Sequence, residues 1–212
     1  MRSPFEPARI GTTLLPNRLV MAPLKTGYGS GTGESTRRHE EFYARRAQGG
    51  VGLIILEPMY VHPSGKELPT QLGIHTDEMI DGLARLVDYI HRAGAKVAFH
   101  LNHAGRMANP KVATPPLVSA SGVPCPSTGA VPRELTTSQI DDILDLYSQA
   151  ARRARMAGAD FIELQAGHGY LIAQFLSPLL NGRADTYGGT LQNRMRLAME
   201  VLREVKAEAG EA

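Results

Sequence analysis

The sequence has one cysteine, no long apolar run and almost no net charge, and each shortage excludes a class of protein. The single cysteine among its 212 residues is Cys125. One cysteine excludes a disulfide framework within the chain and is typical of a reducing compartment, so we expect a cytoplasmic protein. No apolar run approaches the roughly 20 residues of a membrane-spanning helix. We expect no signal peptide, since residues 1–7 lack an apolar core.

Charge and hydrophobic content narrow the class further. Lysine and arginine number 23 and aspartate and glutamate 21, which gives a net charge of +2. A charge so near balance provides no electrostatic basis for binding nucleic acid or a membrane surface, so we expect neither partner. The 42% content of hydrophobic residues suits one domain with a sizeable core. We therefore expect one soluble globular domain.

Apolar strands and amphipathic helices alternate along the chain. Three junctions, QGGVGLIIL, AGAKVAFHL and AGADFIELQ, share one plan in which a helix ends at glycine and an apolar strand follows. The expected N-caps are Ser35 or Thr36 for the first helix, Thr76 for the second and Thr136 for the third. Such alternation indicates parallel βαβ units. The predicted strands are residues 18–22, 51–56, 96–101 and 161–164, and the predicted helices are 36–48, 76–93, 136–157 and 191–209.

Parallel βαβ units build either an open doubly wound sheet or a (β/α)8 barrel. The first strand-to-helix turn lacks the G-x-G-x-x-G pattern of dinucleotide-binding sheets. Polar residues capable of chemistry follow several strands, which is typical of a barrel. We therefore favour an α/β barrel of the TIM (β/α)8 type. The sequence supplies only the first four of the eight βα units.

The four units imply a particular organisation of the chain. Residues 1–18 are expected to form a small hairpin that plugs one end of the barrel, with a disordered leader as the alternative. Residues 19–212 would then hold the four βα units, with no second domain. Half a barrel leaves two open strand edges, which favour self-association. We expect either a truncated part of a longer protein or a half-barrel that pairs with a second half.

The stretch 163–194 carries the side chains best suited to chemistry. It begins at the end of an apolar strand and supplies Gln165, His168 and Tyr170. Residues directly after a strand are where an α/β barrel places its active site, because the strand end is fixed while the loop side chains face a ligand. Arg183 and Asp185 are expected to fix the following loop as a bidentate pair, with no catalytic role.

This stretch resembles the flavin oxidoreductase family that includes Old Yellow Enzyme and bacterial dienoyl-CoA reductase. The resemblance rests on segments in the family's order: MAPLKT (21–26), HLNHAGRM (100–107), Q-x-x-HGYL (165–171), QFLSP (174–178) and N-x-R-x-D-x-YGG with QNR (181–194). It implies the N-terminal half of a flavin barrel, with FMN as cofactor and NADH or NADPH as reductant. An iron–sulfur cluster, known in the dienoyl-CoA reductase branch, is expected only in a C-terminal region beyond residue 212.

The resemblance assigns the FMN contacts to the ends of the first three strands. Pro23, Leu24 and Lys25 would lie along the flavin. The ammonium of Lys25, where the family often has threonine or cysteine, would stabilise the anionic reduced ring; a solvated loop lysine is the alternative. Pro58 would supply a backbone contact, and His100, which replaces the usual glutamine, would supply one hydrogen bond.

Two further side chains near the strand ends admit a structural role. Glu57 either belongs to the segment that contacts the flavin or forms an internal salt bridge. His100 and His103 stand three residues apart on a predicted strand, so we expect them to point to opposite sides. With no third ligand near them, we predict no metal site.

The resemblance also assigns the catalytic residues. Gln165 and His168 occupy the places of the pair that holds a substrate carbonyl oxygen, and Tyr170 that of the residue that protonates the substrate carbon. A core histidine and a half-buried ring are the structural alternatives for His168 and Tyr170. The implied reaction reduces an α,β-unsaturated carbonyl compound, a small-molecule substrate, by hydride transfer from flavin N5 to the β-carbon and proton transfer to the α-carbon.

Two other functions stay open at this point. Glutamine replaces the usual histidine at position 165, so an amine-oxidising or demethylating relative on the same scaffold is one alternative. The FMN phosphate is expected at the last two strands of a barrel, which this sequence does not supply. The 212-residue chain alone is therefore expected to bind FMN weakly or not at all. A non-catalytic half-barrel that needs a C-terminal half or a partner chain is the second alternative.

Overall fold

The computed structural model describes residues 3–210. Its sheets and helices alternate as the sequence predicts. The strands are β1 (Ala8–Ile10), β2 (Thr13–Leu15), β3 (Val20–Met21), β4 (Leu53–Tyr60), β5 (Lys96–Asn102), β6 (Val118–Ser119), β7 (Arg133–Glu134) and β8 (Phe161–Leu164). The helices are α1 (Arg37–Gln48), α2 (Met79–Arg92), α3 (Thr137–Met156), α4 (Leu171–Leu176) and α5 (Leu191–Ala209). No helix of this part of the chain is both long and apolar enough to cross a bilayer.

The four predicted strands form one sheet in the order β3-β4-β5-β8, and every neighbouring pair is parallel. The prediction that the second strand ends at residue 56 is wrong, since β4 runs on to Tyr60. Its ladder with β5 is interrupted between Ile55 and Pro58 and then resumes with Pro58 opposite His100. Pairing with β5 therefore extends β4 past a proline that would otherwise end it.

Capping side chains set where the helices begin. The N–H of Thr36 donates to Nδ1 of His39 at 3.1 Å, and α1 follows. Thr136 and Gln139 form the predicted capping box at the start of α3, with hydrogen bonds of 3.0 and 3.2 Å. The prediction that Thr76 caps the second helix is wrong. The helix begins later, at Met79, and only the Thr76 carbonyl takes part, by accepting the Met79 N–H.

The two faces of the sheet differ because side chains alternate along each strand. Val97 and Phe99 of β5 face the helices and belong to the main core, in which Leu86 of α2 and Tyr147 of α3 are fully buried. Burial of each such side chain contributes about 1.5–3 kcal/mol. Ala98 faces the opposite side, so His100, two residues further along β5, faces that inner side too.

The N-terminal hairpin covers part of the inner face. β1 and β2 pair in an antiparallel ladder, and Leu15 of β2 packs against Leu53 and Ala98. Leu53 begins β4 and Ala98 lies early in β5, so the hairpin packs at the amino ends of the strands. The carboxyl ends of the same face stay free for a site. Residues 1 and 2 of the predicted plug lie outside the described range, and the division of the chain at residue 18 stays a prediction.

The long segment between β5 and α3 has local structure of its own. It contains a turn of 3-10 helix at Gly105–Met107 and the short parallel pair β6 and β7. The short helix α4, directly after Tyr170, was not predicted from the sequence. The side chain of Gln174 on this helix donates to the carbonyl of Ala104 at 3.0 Å. The helix therefore fastens the loop after β8 to the loop after β5.

Candidate active site

The carboxyl ends of β3, β5 and β8 bring the predicted site residues together on the inner face of the sheet. Lys25 follows β3, His100 lies near the end of β5, and Gln165, His168 and Tyr170 follow β8. The register of β5 against β8 places His100 opposite Glu163. Parallel strands end at one edge of a sheet, so residues up to 145 positions apart in the sequence come into contact there.

Lys25 and Tyr170 are joined by a direct hydrogen bond. Lys25 Nζ lies 2.7 Å from Tyr170 Oη and also 2.7 Å from Oε1 of Glu67. Burial lowers the pKa of Lys25, but its bonds to Glu67 and Tyr170 outweigh burial, and the net pKa lies above the ordinary value. Lys25 is therefore an ammonium throughout the neutral range. It has three N–H groups, and this pair of contacts occupies two of them.

Tyr170 is a buried phenol. Its ring packs against the small side chains of Ala104, Ala108 and Ala113. Burial raises the pKa of the phenol, and the hydrogen bond from Lys25 opposes that shift in part. The phenol is therefore protonated at neutral pH and has a proton to give.

His100 is buried and has one ring nitrogen without a hydrogen-bond partner among the described residues. Its Nδ1 lies 2.5 Å from Oε1 of Glu163, while its buried Nε2 has no hydrogen-bond partner among the described residues. Burial lowers the pKa of His100, Glu163 opposes that shift, and His168 adds to it. A neutral ring that donates from Nδ1 to a carboxylate leaves Nε2 as an acceptor.

Gln165 and His168 both lie in the loop after β8, where the Gln165 amide is held by a backbone hydrogen bond and the His168 ring is exposed. The side-chain oxygen of Gln165 accepts the N–H of Gly167 at 3.0 Å, which leaves its NH2 group free to donate to a ligand. His168 is exposed and has a φ of 56°, which is rare for a residue with a side chain. Its ring centroid lies 6.2 Å from that of Tyr170. The core-histidine alternative for His168 does not fit this exposure.

The remaining predicted contacts lie at the ends of β3 and β4. Leu24 is 48% exposed and Pro23 is half-buried. Pro58 is buried within β4, and its carbonyl accepts a hydrogen bond from Nε2 of Gln71 at 2.9 Å. A proline has no N–H, so Pro58 can offer a cofactor only the second lone pair of that carbonyl.

Glu57 forms an internal hydrogen-bonded pair with His39, the structural alternative to a flavin contact. It is fully buried, and its Oε1 accepts from Nε2 of His39 at 2.7 Å and from Oγ1 of Thr26 at 2.5 Å. His39 Nδ1 accepts the Thr36 N–H, so His39 donates from Nε2. This network fixes Thr26, the neighbour of Lys25, and so holds the loop that carries the ammonium.

Two site residues were missed by the sequence analysis. Glu67 lies in the loop after β4, where no local pattern distinguishes it from a solvated acid. Glu163 lies within an apolar strand, and a carboxylate at the inner-facing position of such a strand was the one available signal. Among residues 3–210 no group of three or more histidine, cysteine, aspartate or glutamate side chains could hold a metal ion.

The donors and acceptors present fit an isoalloxazine ring. The oxidised ring has carbonyl acceptors and one N–H. Lys25 has one N–H left for a carbonyl, and the unpartnered Nε2 of His100 is an acceptor suited to the ring N–H. Leaving a buried acceptor unpaired costs about 1–3 kcal/mol, so a ligand that supplies the missing donor is favoured.

Arg183 and Asp185 form the expected structural clamp. The Arg183 guanidinium binds both carboxylate oxygens of Asp185 and donates to the carbonyls of Ala120 and Leu135. Its side chain is 2% exposed. The clamp therefore ties the loop after α4 to the segment before α3, away from the reacting groups.

Comparison with known proteins identifies close relatives. A profile of the NADH:flavin oxidoreductase / NADH oxidase family matches residues 3–212. The chain is 42% identical to an NADH oxidase of Thermoanaerobacter brockii over 210 residues, 98% of this chain and 32% of the relative. It is 40% identical to an NADPH dehydrogenase of Bacillus subtilis (strain 168) over 207 residues, 97% of this chain and 60% of the relative.

Solved structures show the same similarity. A structure of morphinone reductase in complex with tetrahydroNAD has a TM-score of 0.94 at 31% identity and matches 99% of this chain and 62% of its own. An Old Yellow Enzyme homologue from Zymomonas mobilis has a TM-score of 0.92 at 34% identity, with 99% and 61% covered. The predicted fold class, four βα units of a TIM-type flavin barrel, is confirmed. The chain spans less than two thirds of each of these four proteins.

Proposed function

Since the chain belongs to the NADH:flavin oxidoreductase / NADH oxidase family, we propose that it supplies the substrate-facing residues of an FMN-dependent ene-reductase. The reductant is NADH or NADPH, and the substrate is an α,β-unsaturated carbonyl compound. The observation that carries the proposal is the inner-face cluster at the strand ends. There Lys25 is bonded to the phenol of Tyr170 and the ring of His168 lies beside that phenol, while the amide donor of Gln165 and the unpartnered Nε2 of His100 stand on neighbouring strand ends.

Lys25 and His100 are the groups best suited to hold the cofactor. FMN, when bound, supplies the hydride that reaches the substrate and takes it from the reduced nicotinamide. The ammonium of Lys25 offers one N–H and a positive charge to the ring's carbonyl edge, while Nε2 of His100 offers the acceptor. Pro23, Leu24 and Pro58 are assigned to the same cofactor surface as backbone and apolar contacts.

Gln165 and His168 would orient the substrate oxygen. The Gln165 amide is held through its oxygen by Gly167, so its NH2 group can donate without first breaking an internal bond. A preorganised donor of this kind stabilises negative charge that develops on a carbonyl oxygen. Gln165 supplies no charge, so His168, exposed at the same loop, is the group that can add a second donor.

Tyr170 would deliver the proton to the substrate α-carbon. Its raised pKa keeps the phenol protonated at neutral pH, and its ring packs on the segment after β5. A positioned general acid contributes about 10²–10⁴-fold to a proton-transfer step. The phenol is thus the acid and the Gln165–His168 pair the oxygen anchor.

The proposal is tested with the protein as its genome encodes it, purified with FMN and kept anaerobic. The visible spectrum reports bound flavin, and 2-cyclohexenone is the probe substrate. We expect NADH or NADPH consumption that depends on the enone and equals the cyclohexanone formed. Consumption without saturated product would contradict ene-reduction, and oxidative N-demethylation of a methylated amine would favour the amine-oxidising alternative.

A second proposal concerns assembly. The outer edges of β3 and β8 have no partner strand within residues 3–210, and all four residues of β8 are half-exposed, whereas β4 and β5 are buried almost throughout. Open edges of a parallel sheet favour pairing with another chain or segment. We expect the 212-residue chain to sediment as a dimer or larger species, and a monodisperse monomer would contradict this proposal.

The cytoplasm is the compartment we propose for the protein. The support is the single thiol of Cys125, which is free and buried. A chain without disulfides needs no oxidising compartment. Fractionation of cells that express the tagged protein tests this, and recovery with the secreted or periplasmic fraction would contradict it.

A further inference from the structure

We propose that Lys25 is a positioning residue for Tyr170: it holds the phenol oxygen through a hydrogen bond and stabilises the charge left when the phenol proton leaves. This inference rests on the proposed role of Tyr170 as the proton donor. It goes beyond that role because it gives the lysine a task on the phenol in addition to its contact with the cofactor. Glu67 is the residue that keeps Lys25 in place for this task.

The direction of the hydrogen bond follows from the chemistry of the two groups. An ammonium has donors and no acceptor, so in the 2.7 Å contact Lys25 must donate and the Tyr170 oxygen must accept. The phenol's own hydrogen then points away from Lys25. A neutral partner such as threonine or cysteine could donate or accept, and would leave that direction unset.

Glu67 holds the ammonium at this position. Its Oε1 lies 2.7 Å from Lys25 Nζ, and its side chain is 11% exposed. Nδ2 of Asn102 lies 3.4 Å from the other carboxylate oxygen. The loop after β4 and the end of β5 thus anchor a cation that arrives from the loop after β3.

The proton step balances with these groups. The phenol O–H bond breaks, and its electron pair stays on oxygen as phenolate. The proton forms a C–H bond with the electron pair of the substrate α-carbon, after the β-carbon has received hydride. The phenolate then lies beside an ammonium 2.7 Å away, and water returns the proton. Lys25 keeps its own three hydrogens throughout.

The charged groups that face Tyr170 are few. Lys25 lowers the pKa of the phenol, Glu67 raises it, and the imidazole of His168 lies at the ring edge. The side chains on its packed face are apolar: Ala104, Met107, Ala108, Ala113 and Leu117. Lys25 is therefore the cation whose removal most directly changes the phenol. An opposite charge within about 4–6 Å shifts a pKa by about 1–3 units in favour of the charged form.

The test titrates Tyr170 itself and needs neither cofactor nor substrate. The protein is labelled with 3-fluorotyrosine, whose more acidic phenol titrates at lower pH, and 19F NMR follows each ring. The resonance of residue 170 is assigned by its loss in Tyr170→Phe. The other six tyrosines of the chain report on the fold in the same spectra.

We expect Lys25→Met to raise the pKa of residue 170 by about one unit or more. Lys25→Gln, which keeps a donor without the charge, should raise it too, and serves if the methionine variant does not fold. Lys25→Arg, which keeps the charge, and Lys111→Met, at an exposed lysine, should leave it within about 0.3 unit of the parent. An unchanged pKa in both Lys25→Met and Lys25→Gln would overturn the inference.

The titration of Tyr170 and the assay of enone reduction can fail independently of each other. If enone reduction fails while the titration shifts as expected, the proposed reaction is wrong and the lysine–phenol coupling stands. If enone reduction succeeds and depends on Tyr170 but the titration does not shift, the coupling is wrong and the reaction stands.

Discussion

The buried carboxyl of Glu57 is the contact whose loss we expect to cost the fold most. Glu57→Ala removes the acceptor of two donors, the buried Nε2 of His39 at 2.7 Å and the half-buried Oγ1 of Thr26 at 2.5 Å. Both Glu57 and His39 are fully buried, so water cannot replace the lost partner. An unsatisfied buried donor costs about 1–3 kcal/mol, which applies to His39, and the half-buried Thr26 hydroxyl adds less because water can reach it.

This loss is a sizeable fraction of the free energy of unfolding of a domain, which is about 5–15 kcal/mol. Urea unfolding followed by far-ultraviolet circular dichroism measures the free energy of unfolding for the parent and each variant. Glu57→Gln keeps a carbonyl acceptor for one of the two donors, so we expect about half the loss of Glu57→Ala. Glu41→Ala, at an exposed carboxylate paired with Arg37, is the matched control and should change the free energy by less than about 0.5 kcal/mol.

The result that refutes this reasoning is a Glu57→Ala variant within about 1 kcal/mol of the parent, the lower limit for one unsatisfied donor. A second reversal would be Glu57→Gln less stable than Glu57→Ala, since the amide keeps an acceptor that alanine lacks. Either outcome would mean that the network around Thr26 does not hold the loop that carries Lys25.

Three further predictions concern the ends of the strands and the loop after α4. Burial raises the pKa of Asp160, but its bonds to Lys96 and Val97 outweigh burial and lower that pKa. The carboxylate therefore stabilises the fold fully above about pH 4, and this stabilisation is lost as pH falls through the lower folded-state pKa. The difference in free energy of unfolding between the parent and Asp160→Asn should close on acidification, and a difference that stays constant from pH 7 to 2 would contradict this. Arg183→Lys cannot make the forked contact with Asp185 and should lower the free energy of unfolding by about 2 kcal/mol in urea titrations; an unchanged value would show that the clamp adds nothing. His100→Leu removes the free acceptor and should weaken FMN binding about tenfold by fluorescence quenching, and equal affinity would contradict the fit of His100 to the ring.

The secondary structure was largely predictable because its causes are local. Glycine at helix ends, apolar runs of strand length and the Thr136–Gln139 capping box all act within a few residues. One error arose where a distant partner decides, and another within a single helix turn. β4 continues through Pro58 because β5 offers a ladder on its far side. The helix expected to be capped by Thr76 begins three residues later, at Met79, where Glu78 stands as N-cap.

The site was only partly predictable for the same reason. Gln165, His168 and Tyr170 stand together in the sequence, so a single stretch revealed them. Glu67 gives no local signal, because its importance comes from a lysine 42 positions earlier that the fold brings to 2.7 Å. The task of Lys25 changes accordingly: the sequence indicated a cofactor contact, and the structure adds a bond to Tyr170.

The most direct test of the account is the rate at which the FMN-loaded protein forms cyclohexanone from 2-cyclohexenone, compared between the parent and Tyr170→Phe. The phenyl ring keeps the packing against Ala104 and Ala108 and removes only the hydroxyl group, which carries the proton. We predict that flavin reduction by NADH or NADPH is unchanged while enone reduction falls by about 10²-fold or more. Equal rates of enone reduction in the two proteins would contradict the assignment of Tyr170 as the proton donor and, with it, the active site described for this chain.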